Sequence, residues 1–183
     1  MTRFLLLLIA LIPANAGWAQ SGPCACDHTR PETLEARNCS LCREADKQPA
    51  EAAIFYLKDS NPRKPNRWLV LTRAHRGGSH SLAELSHRER TGLWNAAIKK
   101  AKELWGDQWG LAYNGDKVRT QCHLHIHIGK LLPAAVTRRK VVLVNGPAQI
   151  PPPKDGEGIW VHPHGGKLMV HLGEQICETV LLR

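Results

Sequence analysis

The 183-residue chain has little acid, few aromatic side chains and, beyond its first twelve residues, no long apolar run. Sixteen acidic residues stand against 25 lysines and arginines, so the formal charge is +9 and the pI is near 9.5. A surface short of negative charge suits phosphorylated ligands or anionic lipid head groups and speeds their arrival. The lack of a second stretch approaching about 20 apolar residues excludes a second membrane-spanning helix. There is no internal repeat, which excludes a solenoid, and no low-complexity tract. No nucleic-acid-binding module appears either, so the charge is not read as a sign of nucleic acid.

What is present begins with "MTRFLLLLIALIPANAGWAQ": a basic residue at Arg3, an apolar run from Phe4 to Ile12, and small residues at Ala14, Ala16, Gly17 and Ala19. This is the pattern of a secretory signal peptide cut after Ala16 or Ala19, with an uncleaved anchor as the alternative. The mature chain is then expected outside the cytoplasm, in the periplasm if the source is Gram-negative. The remaining length suits one domain with one core. The expected division is a signal peptide over 1–19, an irregular arm over 20–34, a main domain over 35–135 and a small β extension over 136–183.

Within the main domain, "AAIFYLKD" (52–59) and "RWLVLTR" (67–73) read as an antiparallel strand pair around the proline-bearing turn "NPRKPN". Two capping-box pairs, Ser81/Glu84 and Ser86/Glu89, precede a helical repeat through Leu93, Trp94, Ala97, Ile98, Ala101, Leu104 and Trp105, which Gly106 ends. Both tryptophans are expected in the core. "QWGLAYNG" (108–115) is a further strand. Past Pro133, "RKVVLVN", "IWVHP", "KLMVHL" and "ICETVLLR" read as short β segments. An α+β fold results, an antiparallel sheet with one main packed helix.

The chemistry concentrates in "QCHLHIHIGKLL", where His123, His125 and His127 alternate with Leu124, Ile126 and Ile128. On a strand this spacing buries the aliphatic residues on one side and aims the imidazoles at the other, whereas a helix would scatter them. A face of imidazoles serves metal binding, proton transfer or nucleophilic attack.

These pieces resemble the histidine triad (HIT) superfamily. "HLHIHIGKLL" matches its His-x-His-x-His signature, "NCSLC" falls where many members have Cys-x-x-Cys, "RWLVLTRAH" follows its strand, basic residue and histidine, and "AYNG" supplies an asparagine before the triad. The likeness spans roughly residues 38 to 132. It implies a five-stranded antiparallel sheet with one long packed helix, often in a homodimer. It further implies a nucleotide or nucleotide-conjugate substrate, with His125 attacking the α-phosphorus to form a phosphohistidine and His127 contacting phosphate oxygens. Asn114 and Gln121 are the nearest matches to its polar phosphate-binding positions. A weaker resemblance, through "RTQCHLHIHI", is to exported CDP-diacylglycerol pyrophosphatases, which have glutamine where this chain has His123. That likeness would add an anionic membrane surface as a partner.

Cys39 and Cys42 have the spacing of half a zinc site. Zinc-containing members of the superfamily imply His75 and His123 as the other two ligands, with His80 as the substitute for His75. Such a zinc would be structural, since protein fills all four positions. The alternatives are a Cys39/Cys42 redox pair or disulfides to Cys24 or Cys26. Outside the main domain, His162, His164 and His171 are either surface histidines of the β extension or a second metal site. Arg138, Arg139 and Lys140 read as a solvated basic edge.

Overall fold

The protein, as a computed structural model, is described over residues 24–74, 81–135 and 140–183. The signal-peptide segment, His75, His80, Arg138 and Arg139 lie outside the described residues. Strands β1 (Ile54–Lys58), β2 (Trp68–Thr72), β3 (Trp109–Tyr113), β4 (His125–Lys130), β5 (Lys140–Val144), β6 (Gly158–His164) and β7 (Lys167–Glu174) form one sheet. Its order is β1-β2-β4-β3-β6-β7-β5, and every described pairing is antiparallel. The expected class, α+β with an antiparallel sheet, is what is found, but the sheet has seven strands rather than five. The difference arises at β3, whose free edge at Leu111–Tyr113 is taken by β6, so the extension continues the sheet. An apolar strand edge left open would expose unpaired backbone groups, and β6 satisfies them. β6 and β7 join through Gly165 and Gly166, both at positive φ (56° and 76°), as a two-residue hairpin with the sheet's twist requires.

One face of the sheet carries the main core. Helix α2 (His87–Trp105) begins at the Ser86/Glu89 capping box and ends at Gly106. It lays Leu93, Trp94, Ala97, Ile98 and Ala101 on Val70, Leu111, Ile126 and Ile128. Trp94 is fully buried and Trp105 packs at the edge, so both tryptophans are core residues. The Ser81/Glu84 pair also forms its capping box, around a single 3-10 turn over Leu82–Glu84.

The opposite face is covered by the C-terminal segment. "ICETVLLR" was expected to be a strand; it is instead a 3-10 turn at Glu178–Val180 followed by an isolated bridge between Leu131 and Leu181. It cannot pair with the strand that precedes it, because β7 already holds β6 on one side and β5 on the other. It crosses the face over two glycines that stand opposite one another, Gly110 and Gly129. A Cβ on Gly110 would lie 2.6 Å from Leu181 Cδ2, and one on Gly129 would lie 3.2 Å from Leu181 Cβ. The missing side chains let Leu181 lie flat on the backbone, where it is 1% exposed. Arg67, just before β2, clamps the crossing segment by donating to the carbonyls of Glu178 (2.8 Å), Leu181 (2.6 Å) and Leu182 (3.1 Å). No helix among the described residues is long and apolar enough to cross a membrane.

Candidate active site

Along β4 the alternation works as the residue types dictate: Ile126 and Ile128 enter the core beneath α2, and His125 and His127 project from the other face. The strand begins at His125, two residues later than the triad. His123 precedes it, fully buried, with Nε2 2.6 Å from the carbonyl oxygen of Thr72 on β2. The three histidines therefore divide. His123 braces the backbone, while His125 and His127 line a cavity of about 750 Å³.

His125 is held in one tautomer. Its Nδ1–H donates to the His123 carbonyl at 2.8 Å, which leaves Nε2 with a bare lone pair. Burial lowers its pKa to about 4, against the partial support of that carbonyl, so the ring is neutral at pH 7. His127 stands edge-on to it, ring centres 4.8 Å apart, and burial followed by the neighbouring His125 holds it well below the ordinary imidazole value.

Glu178, carried by the crossing segment, brings its Oε2 within 3.7 Å of His127 Nδ1. The same oxygen accepts from Arg67 Nη1 at 2.7 Å and from Lys64 Nζ. Burial works against the Glu178 charge, but His127, Lys64 and Arg67 together outweigh it and hold the carboxyl at about 2. The sequence reading placed no acid at the triad and missed Glu178. Its signal was a lone acid inside the apolar "ICETVLLR", and a basic residue, Arg67, opening β2.

The two polar residues expected to face phosphate both border the cavity, and both have structural partners. Asn114 Oδ1 accepts from the backbone N–H of Cys177 (2.9 Å) and Glu178 (3.0 Å), fixing the turn that presents Glu178. Gln121 Oε1 accepts from Ser40 Oγ (2.8 Å) and Leu41 N (3.3 Å), and its Nε2 donates to Arg37 O (3.0 Å), tying the β3–β4 connection to helix α1 (Ser40–Asp46). Cationic side chains dominate the lining: Arg37, Arg43, Lys58, Lys64 and Arg119, against Glu44, Asp59 and Glu178. Arg119 is 7% exposed, pairs with Asp116 at 2.8 Å and lies over the Tyr113 ring.

The cysteines depart from the four-ligand zinc set. Cys39 is bonded to Cys26, and Cys24 is bonded to Cys122. Cys39 therefore lacks the thiolate that ligation with Cys42 and His123 requires. Of the alternatives, the disulfide from Cys39 to Cys26 is the one realised. Cys42 remains a buried thiol, pushed up to about 11 by burial and then by Asp46. Even so, the sulfurs of Cys26, Cys39 and Cys122 lie within 4.8 Å of one another, close enough to hold a metal ion were they thiolates. The consequence for the site is mechanical: the 24–122 bond and the Cys122 N–H donating to Asn38 O (2.7 Å) turn the chain just before His123. That turn delays the start of the strand to His125.

Compared with known proteins, the chain matches no family model and no curated relative.

Proposed function

We propose that the chain is an exported nucleotide hydrolase or nucleotidyl transferase of histidine-triad type, acting at an α-phosphate through His125. The observation that carries this reading is the His125 Nδ1–H to His123 carbonyl bond, which leaves Nε2 bare at the wall of a cation-lined cavity. In the first step Nε2 bonds to the α-phosphorus, and the bond from phosphorus to the leaving oxygen breaks with its electron pair. The imidazole becomes an N-phosphorylated imidazolium, and the His123 carbonyl, accepting from Nδ1–H, stabilises that charge. In the second step water, or an acceptor hydroxyl, gives its oxygen to phosphorus, loses its proton to solvent and frees Nε2. His127, neutral and adjacent, is placed to donate a hydrogen bond to a phosphate oxygen, and Lys64 and Arg119 offset phosphate charge. The volume, about 750 Å³, is within the range of small-ligand sites. The two disulfides favour an oxidising compartment, which agrees with export.

Intact mass spectrometry tests this, using a nucleoside phosphoramidate, dinucleoside polyphosphates and CDP-diacylglycerol as probes. The expected result is an acid-labile nucleotidyl adduct that His125→Ala abolishes without loss of fold. A CDP-diacylglycerol-only response would assign the lipid-nucleotide substrate and the membrane partner. Binding without adduct or turnover would replace the enzyme with a nucleotide-binding protein.

A metal reading has its own support in the three convergent sulfurs. Under reduction, Cys26, Cys39 and Cys122 would become a thiolate set suited to zinc, holding the arm to the start of β4 as a structural ion. Zinc content of the reduced and the oxidised protein decides it, with zinc retained only by the reduced form.

A further inference from the structure

The row of residues that contains His127 continues across the sheet through Ala112 on β3 and Trp160 on β6 to His171 on β7. His162, two residues beyond Trp160, lies on the same face. The result is a second histidine cluster, with β3 between its nearer strand and β4. His162 Nε2 stands 3.1 Å from His171 Nε2, with the rings 22° from parallel.

The orientation of each ring is fixed by its surroundings. His162 Nδ1–H donates to the Pro163 carbonyl at 2.9 Å, so the Nε2 lone pair points at His171. An imidazole whose other nitrogen donates to a backbone carbonyl has the usual arrangement of a metal ligand. The His171 ring lies flat on the Trp160 indole, 3.4 Å between centres and 2° between planes, and Trp160 Nε1–H is itself anchored on Glu174 Oε1 at 3.2 Å. In the ion-free pair His171 Nε2–H donates to His162 Nε2; an ion takes that proton's place once the His171 proton moves to Nδ1, a buried atom with no hydrogen-bond partner among the described residues.

We propose that His162 and His171 bind a divalent first-row transition ion through their two Nε2 atoms, Cu²⁺ more tightly than Zn²⁺. Two nitrogens 3.1 Å apart, each about 2.0–2.1 Å from an ion, subtend about 100° at it. That angle lies between the tetragonal and tetrahedral values, so copper and zinc are both accommodated, and the order of affinities for imidazole sites places copper first. His164, exposed on the same strand with its ring centre 6.4 Å from that of His162, is the nearest further imidazole, and water completes the shell. Neither ring must be ordered on binding, so little entropy opposes it.

The test is equilibrium dialysis of the full, disulfide-intact chain with Cu²⁺ and separately with Zn²⁺, alongside tryptophan emission. The wild type should bind one more Cu²⁺ than His162→Ala, with quenching of Trp160, and His162→Gln should weaken that site by about ten-fold or more. His125→Ala should leave it intact, which separates it from any ion at the triad. On Zn²⁺ addition, imidazole ¹⁵N spectra should show both Nε2 signals shifting while His162 Nδ1 stays protonated. Equal Cu²⁺ stoichiometry and affinity in wild type and His162→Ala overturns the proposal, as does a response from only one of the two rings.

Discussion

The proposed nucleophile, His125, must stay unprotonated inside a buried site, and burial favours this. With its pKa lowered to about 4 from an ordinary 6.5, the acid limb of kcat/KM should fall near pH 4. An acid limb at 6.5 would show that the ring is hydrated and the geometry different. Stability carries the same signature. Between pH 4 and 6.5 the unfolded imidazole binds more protons than the folded one, so this contribution is complete above 6.5 and fades as pH falls to about 4. The loss is on the order of 3 kcal/mol, and urea unfolding at pH 7 and pH 4.5 should show a steeper fall in the wild type than in His125→Gln. Glu178 is the other residue on which the site turns. Glu178→Gln removes the carboxylate that Arg67 and Lys64 share, and removing one partner of a buried ion pair costs roughly 3–5 kcal/mol. The urea midpoint should drop accordingly, and a change under about 0.5 kcal/mol would mean the pair is solvated.

At the scale of elements, the crossing segment decides whether the site is complete, and it rests on two bare backbone positions. Gly110→Ala should push Leu181 off the sheet at a cost of about 1–3 kcal/mol. Amide exchange at Leu182, whose N–H donates to Lys130 O at 2.8 Å, should accelerate. Leu181→Ala added to Gly110→Ala should recover part of the loss, since it makes the room the new methyl needs. Unchanged exchange in Gly110→Ala would mean the segment does not dock there. β1 to β4 and α2 were legible because alternation and helical spacing each state a single buried face, as in Ile126 and Ile128 or Leu93 and Ala97. The crossing segment was not, because "ICETVLLR" has the composition of a strand and only its long-range contacts with Arg67, Gly110 and Gly129 hold it across the face instead. The place of β6 was hidden in the same way: "IWVHP" reads as a strand, but nothing in it names β3 as its neighbour. His125 and His127 could be read from spacing alone, whereas Glu178 depended on a long-range crossing that local pattern does not encode.

For the whole molecule, the two disulfides differ in what they constrain. Cys24 and Cys122 are 98 residues apart, Cys26 and Cys39 only 13. In the chain-entropy account a closed loop of about 100 residues stabilises by about 4.7 kcal/mol and one of about 15 residues by about 3. The Cys24→Ser/Cys122→Ser pair should therefore lower Tm more than Cys26→Ser/Cys39→Ser, as calorimetry on both variants would show. Equal losses would mean that strain or residual structure, not loop length, governs the bonds. The bonds are also nested: the 26–39 bridge lies inside the span of the 24–122 bridge. During synthesis Cys24, Cys26, Cys39 and Cys42 emerge together, long before Cys122 exists. An oxidant acting on each cysteine as it appears would join them among themselves and strand Cys122 beside the histidines. A chain oxidised in that order reaches the native pairing only by later shuffling, and recombinant yield should then follow the isomerase capacity of the host rather than its oxidising strength.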